Sequence, residues 1–130
     1  MKITIRNYEL ENYFTGVLAS QDCFIKNTSI KLPGGMGWNL RINLKTLNDR
    51  YAIFQEARNE IGQAYVDAGK TEGDMVKPEY AEEYSTAILD LLNQSNELDI
   101  LPLKKEDVIN LAVSMPEQDF LALMIAPEEA

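Results

Sequence analysis

The amino-acid sequence predicts a mainly α (α+β) fold organised around a long helical hairpin. Three observations lead there. From Gly37 to Ala68 there is no proline, and most residues are good helix formers. Within that stretch Leu40, Leu44, Leu47, Tyr51, Phe54, Arg58, Ile61, Tyr65 and Ala68 recur at spacings of 4-3-4-3-4-3-4-3. That is a heptad seam with one polar member. After a polar, glycine-bearing linker over 69–77, Tyr80, Tyr84, Ala87, Ile88 and Leu91 repeat at helical spacing up to about Asn93.

The 32 residues from Gly37 to Ala68 would make a rod about 48 Å long at 1.5 Å per residue. So long a helix needs company, from this chain or from a second copy, which leaves a homo-oligomer open. Gly69 suits the helix C-terminus and Pro78 a first helical position. The second helix covers only about half of the first, so the rest of the seam must pack elsewhere.

At the start, Lys2-Ile3-Thr4-Ile5-Arg6 alternates as a short strand with Ile3 and Ile5 inward. Asn7 is a candidate cap for the helix that follows, with Glu9 and Glu11 in its first turn. Leu10, Phe14, Val17 and Leu18 form its apolar stripe, and Gly16 weakens it. Phe24-Ile25 and Ser29–Leu32 read as short extended pieces. Residues 98–103 read as a strand that pairs with the N-terminal one, Pro102 placing it at an edge or bulge. Lys105 to Val113 is a short helix. Ser114-Met115-Pro116-Glu117 has capping-box spacing ahead of a terminal helix through Phe120–Ile125. Residues 126–130 form a frayed acidic tail. At 130 residues the chain is expected to be a single domain.

Composition excludes several chemistries. There is no histidine, which removes Ser-His-Asp and Cys-His catalysis. One cysteine, Cys23, forms no internal disulfide and, beside Phe24 and Ile25, suits a core. One Cys without His leaves no zinc site of the usual kind. Glu79, Glu82 and Glu83 cluster where their charges complement a helix N-terminus, which explains them better than a metal. Lys31–Gly37 is glycine-rich but lacks the phosphate-loop ending, so a hinge is the simpler reading. No cofactor and no enzymatic activity are expected.

The net charge of −9 is lopsided. Residues 1–65 hold eight Lys/Arg and six Asp/Glu, whereas residues 66–130 hold four and fifteen. A general nucleic-acid binder needs the opposite sign. No apolar run approaches the ~20 residues of a membrane span. The alternating N-terminus does not read as a signal peptide, so an intracellular protein is expected. Trp38, Arg41 and Lys45 fall at i, i+3 and i+7, the one locally basic and aromatic patch. They are candidates for binding a partner or an anion, or plain side chains over the core rim. Arg58, which interrupts the seam, is the fourth candidate. It could pair with a carboxylate, set an oligomer's register, or lie at an edge.

The order of segments also carries a resemblance. It comprises the opening Met1–Asn7 strand, Lys31-Leu32-Pro33 before a long helix with Asp49-Arg50-Tyr51 and Glu56-Ala57-Arg58, then Leu91-Leu92-Asn93, Glu97–Ile100 and Phe120–Ile125. Over nearly the whole chain this resembles a family of small tailed-phage proteins of Gram-positive hosts, a domain of unknown function. Gly34-Gly35-Met36-Gly37-Trp38 departs from that pattern. The resemblance implies a phage protein in the bacterial host cytoplasm and brings no site residues. The function expected is therefore binding of a host factor or host-made signal, as in counter-defence or host takeover. The alternatives are a tail assembly chaperone or minor structural protein, and an oligomeric sponge for a nucleotide signal.

Overall fold

The computed structural model describes residues 1–19, 35–111 and 113–127. Cys23, the extended pieces at 24–32 and the hinge residues 31–34 lie outside them, as do 128–130 of the tail.

The fold is mainly α with a small antiparallel sheet. Strand β1 (Lys2–Arg6) leads directly into helix α1 (Asn7–Thr15). Helix α2 spans Met36–Asp67 without a break, straight through Gly62. A hairpin of β2 (Thr71–Glu72) and β3 (Met75–Val76) follows, then α3 (Ala81–Leu92) and β4 (Ser95–Asp99). Two short helices, α4 (Lys105–Ile109) and α5 (Met115–Ala122), complete the chain.

The seam explains α2. Leu40, Leu47 and Phe54 are buried and Leu44 and Tyr51 pack against the core. Beyond Phe54 no residue of α2 is buried, and none of α3 is. The core therefore gathers under the first half of α2, where Ile5, Leu10, Leu98, Phe120, Leu121 and Met124 meet it. In the outer half of the helical hairpin α2 packs on α3, with Tyr65 edge-on to Tyr84 at 5.2 Å.

The turn after α2 follows from glycine chemistry. Gly69 has φ 70°. The Gly69 N–H donates to Val66 O and the Lys70 N–H to Tyr65 O, which together cap the last carbonyls. The supposed linker is structured. Thr71 pairs with Val76 and Glu72 with Met75, across a two-residue turn that opens on Gly73 at φ 62°. Pro78 starts a single 3-10 turn ahead of α3.

Several expected details are corrected. The strand partner of β1 is Ser95–Asp99, not 98–103, with Ile3 opposite Leu98 and Ile5 opposite Asn96. Pairing reaches Ile100 through Met1, but Leu101 turns away because Asn43 takes its backbone groups. Pro102 thus lies outside the ladder. Asn7 does not cap α1. Arg6 holds the cap position, and the Glu9 carboxylate accepts its N–H at 3.1 Å. Asn7 is buried instead, donating from Nδ2 to Leu91 O at 2.7 Å and accepting from Asn96 Nδ2 at 2.8 Å. The helix expected over Lys105–Val113 ends at Ile109. The terminal helix stops at Ala122, and Ile125 instead makes a parallel bridge to Leu103. Ser114 does cap that helix, its Oγ accepting from the Glu117 N–H at 3.4 Å.

Gly16 sits just past the end of α1 and does not weaken its interior. A Cβ there would lie 2.7 Å from the Asn12 carbonyl oxygen, whereas one at Gly62 would meet nothing within 4 Å. Two alanine substitutions should therefore act in opposite directions. Gly62→Ala should stabilise by about 0.5–1 kcal/mol, the usual helix-interior gain. Gly16→Ala should destabilise by about 1 kcal/mol or more, since the backbone must shift. Urea melts of both variants check this, and a stabilised Gly16→Ala would refute the account of the helix end.

Candidate binding surface

Trp38, Arg41 and Lys45 lie on the first half of α2, on the face opposite the seam. The seam side is fixed in the core by Leu40, Asn43 and Leu47. That burial forces residues about half a turn away outward. Trp38 is 69% exposed, far beyond what stem packing over a core rim produces. Arg41 and Lys45 are exposed beside it, and Ile42 adds apolar surface. Lys45 Nζ donates to the Asp49 carboxylate one turn on, an exposed pair of small energetic weight. An open groove of about 580 Å³ flanks this face, with Phe14, Leu18 and Leu44 as its apolar walls and Lys45 at its rim.

Arg58 does not join this patch. Twenty residues separate it from Trp38, which is about 30 Å along the axis and the opposite side of the helix. Its Nη1 donates to Glu11 Oε1 at 2.7 Å, and its guanidinium carbon lies 6.0 Å from the Phe54 ring centroid. Of the fates open to it, pairing with a carboxylate is the one observed. It closes the seam over α1 where the apolar core ends. Arg50 also leaves the Trp38 face, nine residues after Arg41. Within one chain, then, these cations do not converge on a single anion pocket.

A cluster missed in the sequence lies at the outer end of the helical hairpin. Lys70 Nζ sits 5.3 Å from the Tyr65 ring centroid and 5.0 Å from that of Tyr80, and donates to Glu83 Oε1 at 3.2 Å. Burial, then the Glu83 carboxylate, push the Tyr65 hydroxyl above its ordinary value. The sequence signal is three tyrosines, Tyr65, Tyr80 and Tyr84, bracketing a turn segment with lysines at 70 and 77. Glu83 is thus committed to Lys70. Among the described residues no group of three Cys, Asp or Glu side chains is placed to hold a metal ion. Burial, then Glu9 and Asp119, also raise the Tyr13 hydroxyl.

Among the described residues no helix is long and apolar enough to cross a membrane. No protein-family model matches the chain, and comparison with curated proteins and with solved structures finds no significant match.

Proposed function

We propose that this chain is a non-catalytic phage accessory protein that acts by binding a host factor or host-made signal, with the outer face of α2 around Trp38 as its contact. The carrying observation is a tryptophan 69% exposed on a helix whose opposite face is locked into the core. A rigid helix presents that ring without the cost of ordering a loop. Tryptophan and arginine are the residue types that most often dominate binding energy, and Arg41 stands one turn away. The phage setting and the host cytoplasm come from the family resemblance. The lack of histidine supports binding over acid–base catalysis.

Affinity capture from a Gram-positive host lysate tests this. The native chain should retain a host protein or an anionic small molecule. Trp38→Ala should weaken that retention by about 2 kcal/mol, roughly thirtyfold, as hot-spot truncations do. Its melting temperature should stay within a degree or so of native, because the ring touches little of its own fold. Equal capture by Trp38→Ala, or no capture by the native chain, would refute the reading.

One observation favours a second reading, a tail assembly chaperone or minor structural protein. Neither α3 nor α2 beyond Phe54 has a buried residue, a half-covered hairpin of the kind subunits complete. Co-purification with a tail protein during infection would decide for it.

A further inference from the structure

The outer face of α2 carries an order of charges that its own fold does not use. Trp38, Ile42, Lys45, Asp49, Ile53 and Glu56 fall within about 80° of one another around the axis, at about 100° per residue. All six are exposed, and they lie opposite the buried Leu40, Leu47 and Phe54. Arg41 borders this stripe, whereas Arg50 and Arg58 lie about 100° and 180° from its centre. Along the stripe the signs separate. Arg41 and Lys45 come first, and from Asp49 onward Glu56, Glu60 and Asp67 follow with no cation on the same face. Trp38 and Ile42 stand at the cationic end, and Ile53, 59% exposed, stands at the anionic end.

This order selects the occupant, because the stripe turned end for end complements itself. Let a second copy run antiparallel, with the two-fold axis passing near Leu47. Lys45 then comes level with the partner's Asp49, and Asp49 with the partner's Lys45. The partner's Ile53 falls between Trp38 and Ile42, and Arg41 reaches the partner's Glu56 less than one turn away. A parallel copy would instead set Lys45 beside the partner's Lys45. The Lys45–Asp49 pair within the helix does not compete, since it is exposed and weak, and an ammonium has three donors. Every contact of this arrangement is made twice, as a closed two-fold interface requires.

We infer that the chain forms a reversible antiparallel homodimer through the outer face of α2, which covers Trp38 and must open before another partner takes that face. This rests on the reading of that face as a contact surface, yet its test needs no host ligand. A stripe one helix wide and about 27 Å long belongs to the small, transient class of interface, so association is micromolar or weaker. At the low micromolar concentration of a melt the chain is monomeric, and Trp38→Ala keeps its midpoint.

Sedimentation velocity from about 5 µM to about 1 mM should show the dimer forming. Trp38 is the only tryptophan, so its emission should shift to the blue over the same range. Lys45→Glu alone and Asp49→Lys alone should each weaken association at least tenfold, because each sets like charges across the axis. Both positions are exposed, so both chains fold. An equimolar mixture of the two should associate again, since the introduced glutamate meets the introduced lysine and the two native charges meet each other. Damage confined to the pair within one helix would not be repaired by mixing. A chain monomeric throughout, a dimer that survives either single reversal, or a mixture that stays apart would each overturn the inference. A monomer that captures a host ligand through Trp38 would remove this dimer and keep the host reading. A dimer that obeys the charge reversals and captures nothing would do the opposite.

Discussion

Replacing Asn43 with alanine is expected to destabilise the protein by about 2–3 kcal/mol, although no catalytic or binding role attaches to it. Asn43 is 0% exposed in the middle of the apolar seam side of α2. Its Oδ1 accepts from the Leu101 N–H at 2.7 Å, and its Nδ2 donates to Leu101 O at 2.8 Å. The side-chain amide thus replaces a neighbouring strand for one residue of the chain. Alanine would leave both Leu101 backbone groups without partners, and an orphaned group costs about 1–3 kcal/mol where water reaches it poorly. Asn43→Asp should be at least as harmful, because its carboxylate would face the Leu101 carbonyl. Urea denaturation at pH 7 measures both. A loss below about 0.5 kcal/mol for the alanine variant would mean that water replaces the amide and that the segment after β4 is held by other contacts.

Asn43 also shows where sequence reading succeeds and fails. The expected helix over Gly37–Ala68 and the observed Met36–Asp67 differ by one residue at each end. A heptad seam is a local periodic signal, and nine positions are enough to read it. The sequence puts this strand at 98–103, three residues late, because Leu98, Ile100, Leu101 and Leu103 look like one apolar run. What divides them is a side-chain amide 58 residues away. Asn7 misled for the same reason. Its type suits a cap, but its bonds go to Leu91 and Asn96 across 84 and 89 residues. Such long-range side-chain bonds leave no periodic trace. The Trp38, Arg41 and Lys45 face was legible because i, i+3 and i+7 share one side of any helix. Arg58, the fourth candidate, does not belong to that face, since twenty residues bring the chain to the opposite side of the helix, and its pairing with Glu11 left no sequence signal.

Phe120→Ala is expected to cost about 3–5 kcal/mol, the largest single loss in the molecule. Phe120 is 0% exposed, and its ring meets Tyr13 edge-on at 4.9 Å, tying α5 to α1. Leu121 and Met124 from the same segment are buried in the same core, and Leu103 N–H donates to Met124 O. Removing the ring opens a cavity where the C-terminal segment meets the N-terminal helix, far in sequence and central in space. The melting temperature should fall by roughly 10–20 °C for a chain of this size. The contrast with Trp38→Ala carries the argument. Both remove a large aromatic ring, yet one should lower stability and leave binding intact below the new midpoint, while the other should lower binding alone. If Trp38→Ala also melted early, the ring would be covered in the working protein, and the α2 outer face would belong to its own packing instead of to a partner. If Phe120→Ala kept a near-native midpoint, the C-terminal helix would be a peripheral cover, and the core would reduce to β1, β4 and the first half of α2.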